Sequence, residues 1–122
     1  MIEAYVGMPY NLHNKNGLNC WALVALVYSD LFDAVVPDYK ADNLQAVSAA
    51  FTAAFAEGLH GFTQVDEPKD FDVVIMKSER LFHCGIWYQE KILHANNGAK
   101  QVTFERFKDA TRNFKVVEFW RK

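Results

Sequence analysis

The apolar residues of this chain change their spacing near Gly61, and that change restricts the fold to a short menu. Residues 20–32 place Leu23, Val24, Leu26, Val27, Leu31 and Phe32 at mixed three- and four-residue spacing, which predicts a helix buried on most sides. Asn19 precedes it as a candidate N-cap, and Pro37 and Asp38 mark a loop after it. A second helix is predicted near 43–57, with Leu44, Val47, Phe51, Ala54 and Phe55 on one face, a stripe that reads as core, and Gly58 to end it. Past Gly61 the pattern becomes that of strands, at 62–65, 71–76, 81–88, 91–95, 101–104 and 114–120. The strands at 81–88 and 91–95 read as a hairpin around Gln89-Glu90, and 105–112 as a short helix or irregular turn. Helices first and antiparallel strands afterwards predict an α+β domain, its N-terminal helices packed on a C-terminal antiparallel sheet of about five strands.

Residues 1–122 amount to one domain, and 51% apolar and 15% aromatic content supplies a core that a disordered chain lacks. Thirteen Lys and Arg against fifteen Asp and Glu leave no basic stripe, so no nucleic acid partner is expected. The longest apolar run, 21–28, is too short for a membrane span. The opening Met1-Ile2-Glu3-Ala4-Tyr5 has neither a basic n-region nor a long apolar h-region, so a chain made in the cytoplasm without a secretory signal is expected. Two cysteines, Cys20 and Cys84, are too few for a disulfide framework.

Cys20 opens the first predicted helix, after the loop Asn14-Lys15-Asn16-Gly17-Leu18. Orphan N–H groups and the positive end of the helix dipole stabilise an anion there, which lowers a thiol's pKa. The same N–H groups can hold the oxyanion of a tetrahedral intermediate. The competing reading is a small buried hydrophobe, the commonest fate of a free cysteine. A nearby base separates the two.

His83 and His94 flank the Gln89-Glu90 turn. Across an even-numbered loop, opposed positions sum to an odd number, so 83 and 94 fall on one sheet face, opposite or one diagonal step apart. One imidazole can then take the thiol's proton while the other fixes its tautomer and orientation. A slip of one residue would part them, and Gln89-Glu90 lacks the Asn-Gly turn signal. Cys84 alternates away from His83, which makes it a core residue outside the site. His13 and His60 fall in loops and read as surface or rim residues. A zinc site of Cys20, His83 and His94 lacks the closely paired ligands that announce one, so no metal or organic cofactor is expected.

Several short motifs together resemble the NlpC-like cell-wall cysteine peptidases. They are Gly7-Met8-Pro9-Tyr10, Gly17-Leu18-Asn19-Cys20-Trp21, Asp72-Val73-Val74-Ile75-Met76, His83-Cys84-Gly85-Ile86-Trp87-Tyr88 and Ile92-Leu93-His94-Ala95, in the family's order. The ending Val116-Val117-Glu118-Phe119-Trp120-Arg121 is similar to that of short phage-borne members associated with tail assembly. The resemblance runs from about residue 5 onward and implies a papain-like fold. It implies Cys20 as nucleophile, His83 as general base and His94 as the orienting third member. It further implies Tyr10, with Asn19 and Trp21, near the substrate or oxyanion. The reaction implied is hydrolysis of amide bonds in peptidoglycan stem peptides, with phage tail proteins as further partners and the virion tail, host periplasm or cell wall as location.

Where the family commonly has Asp or a small residue before the cysteine and Ser or Trp then Gly after it, this chain has Asn19, Trp21 and Ala22, of which Asn19 and Ala22 depart. Ala22 narrows the approach of helix and substrate, and Cys84 stands where the family usually has Val. The segment 38–61 carries the least family signature. Two other readings stay open at this point: a tail or cell-wall binding module with little catalysis, and acyl transfer by the same three residues.

Overall fold

Helix α1 (Cys20–Phe32) begins where Asn19 stops being helical. The Asn19 backbone is extended, at φ −84° and ψ −179°, and its Oδ1 accepts the Ala22 N–H at 2.9 Å. Its Nδ2 donates to the Leu12 carbonyl at 3.0 Å, tying the cap to the preceding loop. At the other end Asp33 takes the left-handed conformation, φ 52°, and donates its N–H to the Ser29 carbonyl at 3.1 Å. Cys20, Trp21, Leu23, Val24, Val27 and Tyr28 are buried, while Leu31 and Phe32 are 39% and 49% exposed. The helix therefore buries a broad face, not most of its circumference.

The computed structural model describes residues 2–13, 16–36, 61–79 and 81–122. The second helix expected near 43–57, and His60, lie outside the described residues. Among these, the strands are β1 (Thr63–Val65), β2 (Val73–Lys77), β3 (Phe82–Tyr88), β4 (Lys91–Asn96), β5 (Gln101–Arg106) and β6 (Val116–Arg121). A single helical turn, α2 (Phe107–Ala110), lies between β5 and β6. All neighbours pair antiparallel, in the order β1-β6-β2-β3-β4-β5. Among the described residues the sheet has six strands, the short β1 finding its partner in β6, which inserts between β1 and β2.

Alternation along these strands sends side chains into two clusters. Val73, Ile75, Cys84, Ile86, Leu93, Ala95 and Val102 meet α1 in one. Val74, Met76 and Ile92 form the other with Phe107, Phe114, Val117 and Phe119. Both faces of β2, β3 and β4 are thus covered, which is why these strands read as nearly continuous apolar runs. Each fully buried aliphatic chain contributes about 1.5–3 kcal/mol.

Polar ties fix the ends of the elements. The Arg121 guanidinium grips the buried Asp72 carboxylate from β6 at 2.9 and 2.7 Å. The Tyr5 hydroxyl donates to Asp30 on α1 at 2.8 Å. No helix among the described residues is long and apolar enough to cross a membrane.

Candidate active site

Cys20 is the first residue of α1, buried at 5% exposure. Its sulfur takes a hydrogen bond from the Cys84 thiol, another from His83 and a third from the Cys84 main-chain N–H. Together with the positive charge His83 carries when protonated, these hold the Cys20 thiol well below the ordinary cysteine range, against the opposing effect of burial. Burial and the neighbouring Cys20 thiolate push the Cys84 thiol the opposite way. The two sulfurs are thus pushed in opposite directions, Cys20 toward the thiolate and Cys84 toward the thiol.

The hairpin brings the two imidazoles into contact. β3 and β4 pair as Tyr88↔Lys91, Trp87↔Ile92 and Ile86↔Leu93, around Gln89 and Glu90 at φ 50° and 65°. Both turn residues are left-handed, as a type I′ hairpin turn requires, without the usual Asn-Gly. The register leaves His83 one diagonal step from His94, with His83 Nε2 and His94 Nδ1 2.8 Å apart. Gly85 makes this possible. A Cβ there would lie 2.7 Å from the Ile92 Cγ2 and the Leu93 oxygen and 3.0 Å from the His94 Cβ. The missing side chain lets β4 close on β3 and leaves the space across which the rings meet. The His83 ring also stacks parallel to Phe114, 6.0 Å between centroids.

Cys84 corrects the expectation drawn from alternation. It does point away from His83, and it is fully buried. That other face is the one α1 packs on, so its thiol meets Cys20 at the helix start.

Glu105 is the residue that sequence reasoning missed. Its Oε1 lies 2.7 Å from His94 Nε2 and accepts from Asn96 Nδ2 at 3.0 Å and Thr103 Oγ1 at 3.3 Å. Position 105 was assigned to a short helix or turn, but β5 continues to Arg106 before α2 begins. The parity rule applied to β4 and β5, with 105 kept in the strand, places it on the His94 face. Burial, and then the charge on His83, push His94 down to about 4 despite the raising effect of Glu105. His94 is therefore neutral near neutral pH.

The other three expected site residues sit around the start of α1. Tyr10 is held by the pairing of Gly7 and Met8 with Val102 and by Tyr10 N–H to the Lys100 carbonyl at 3.0 Å. Gly17 lets the following loop lie against it, since a Cβ there would be 2.8 Å from the Pro9 oxygen. Burial, and then the charge on Cys20, raise the Tyr10 hydroxyl pKa, so it remains an O–H donor within electrostatic reach of the sulfur. Asn19 has both ends of its side chain engaged with the backbone, so it positions the helix. Trp21 is 0% exposed and meets Phe62 edge-on, which removes its ring as a contact surface for substrate. His13 is exposed. Among the described residues no three His, Cys, Asp or Glu side chains are grouped to hold a metal ion.

With this geometry in hand, the comparisons are consistent. The NlpC/P60 family model matches residues 7–121. The fold is similar to the crystal structure of the NlpC/p60 domain of the peptidoglycan hydrolase SagA, with TM-score 0.66 and 16% identity over 99% of this chain and 92% of that one. At that identity the likeness is one of fold. No curated protein matches the sequence.

Proposed function

The chain belongs to the NlpC/P60 family, and on that premise we propose that it is a cysteine peptidase cutting amide bonds in peptidoglycan stem peptides. The observation that carries the reading is the continuous contact from the Cys20 sulfur through His83 to His94 at the start of α1. In this reading the Cys20 thiolate attacks the peptide carbonyl carbon. The resulting oxyanion is received by the Cys20 main-chain N–H and the Tyr10 hydroxyl. His83 gives its proton to the leaving amine as the C–N bond breaks, leaving a thioester on Cys20. Water, deprotonated by His83, then releases the acid and restores the thiolate. His94 holds the His83 ring through both steps.

The substrate class is supported by the family and by the description of the structural neighbour as a peptidoglycan hydrolase. Purified peptidoglycan incubated with the protein should release stem-peptide fragments, read by mass spectrometry. Undiminished release by Cys20→Ala sinks the assignment. Adding an amine nucleophile separates hydrolysis from acyl transfer by the product formed. A setting on a phage tail rests on the likeness of the Val116–Arg121 stretch to short tail-associated members. Co-purification with virions and loss of the protein from tailless particles test it.

A further inference from the structure

Glu105 closes a chain of hydrogen bonds that begins at the nucleophile. An ionised carboxylate only accepts, so the 2.7 Å contact requires a proton on His94 Nε2. A neutral imidazole carries one N–H, which makes His94 Nδ1 the acceptor in its 2.8 Å contact with His83. The proton in that second bond must then sit on His83 Nε2. Only His83 Nδ1 is left to exchange a proton with Cys20.

Each tautomer is dictated by the next group outward, and the carboxylate is the one member that cannot reverse its role. Asn96 and Thr103 donate to the same oxygen and hold the carboxylate in place; Thr103 Oγ1 also lies 3.4 Å from His94 Nε2, a longer and weaker contact than the carboxylate at 2.7 Å. The Glu105 side chain is one-third exposed, at 33%, and meets His94 at 7%, so it reaches inward from the rim with little packing role.

We propose that Glu105 is a positioning residue of the peptidase site, fixing His94 as the Nε2–H tautomer and thereby presenting His83 Nδ1 to Cys20. The proposal rests on the reading of Cys20, His83 and His94 as the catalytic group. Glu105 touches neither substrate nor sulfur, so it acts through His94 alone.

Nitrogen-15 NMR of the two imidazoles tests the tautomers directly, with peptidoglycan hydrolysis measured on the same samples. The wild-type protein should show His94 protonated at Nε2 and His83 bonded through Nε2. Glu105→Leu should give mixed His94 tautomers and a kcat lower by about a hundredfold, with KM little changed. Glu105→Gln, whose amide oxygen can still accept from Nε2, should restore the tautomer and most of kcat, which loss of folding would not do. Unchanged His94 tautomer in Glu105→Leu, or a kcat within twofold of wild type while Cys20→Ala is dead, overturns the role of Glu105 alone. Activity retained by Cys20→Ala overturns the catalytic reading instead, and the NMR result then still decides whether Glu105 sets the tautomers.

Discussion

The Cys84 thiol donates a hydrogen bond to the Cys20 sulfur from the face of β3 opposite the one that carries His83. Cys20 is thus approached from both sides of one strand, by an imidazole and by a second thiol. A hydrogen bond to an anion is stronger than one between neutral groups, so the thiolate is favoured over the thiol.

Replacing this donor should be felt in reactivity. In Cys84→Val the sulfur keeps His83 and the main-chain N–H but loses the largest contribution holding its pKa down. Alkylation of Cys20 at mildly acidic pH should slow by about tenfold, because hydrogen bonds to charged groups contribute about 1.5–3 kcal/mol. The pH profile of alkylation should move to higher pH. A profile that superimposes on the wild type removes Cys84 from any part in the thiolate's stability.

Gly85 should tolerate no side chain. Gly85→Ala forces a Cβ against the Leu93 carbonyl at 2.7 Å and the His94 Cβ at 3.0 Å, and neither is the end of a flexible chain. The expected cost is about 1–3 kcal/mol in urea unfolding. The remaining folded protein should also show a disturbed His83–His94 hydrogen bond, visible in the imidazole NMR signals.

His94 links stability to pH. Its pKa is lowered from 6.5 to about 4 in the folded protein, so between these values the unfolded chain binds the additional proton. Its contribution is fully present above pH 6.5 and is lost as pH falls toward 4. The loss is on the order of 3 kcal/mol. The difference in unfolding free energy between wild type and His94→Asn, measured across that window, should therefore change with pH. A constant difference refutes a buried neutral His94.

Arg121 and Asp72 should behave as a coupled pair. Arg121→Ala leaves the Asp72 carboxylate, 3% exposed, with the Lys69 N–H at 2.8 Å but without its cation, and should lower the urea midpoint of unfolding. Adding Asp72→Asn should return part of that loss. Strictly additive effects in the double-mutant cycle would show that the pair is not coupled.

What the amino-acid pattern revealed, and what it hid, follows from the range of the forces involved. α1 was legible to the residue, because its cap and apolar run are local. The meeting of His83 and His94 was legible through parity, since the strands impose a two-residue turn on Gln89 and Glu90 although neither residue favours it. Cys84 was placed on the correct face, but its neighbour on that face was not foreseen. Where a helix start lands on a sheet is decided by long-range packing, which no local spacing records. Glu105 was lost at an element boundary: the strand-to-helix change at Arg106 and Phe107 carries no Pro or Gly to mark it. Asn19 was legible as the cap of α1 from its place in the sequence, Tyr10 as a neighbour of Cys20 only through family likeness, and the burial of Trp21 was not legible at all.

The insertion of β6 between β1 and β2 sets an order of assembly. A chain leaving the ribosome can lay α1 on β2 through β5 early, since β2, β3, β4 and β5 pair with their neighbours in sequence. Thr63 meets Arg121, however, so β1 waits at the sheet's margin until the last strand has emerged. The closure that joins them spans the whole sheet-forming half, and its loop entropy is met only when β6 docks. The group around Cys20 can therefore form before the sheet is finished, and translation itself separates the making of that group from the locking of the domain.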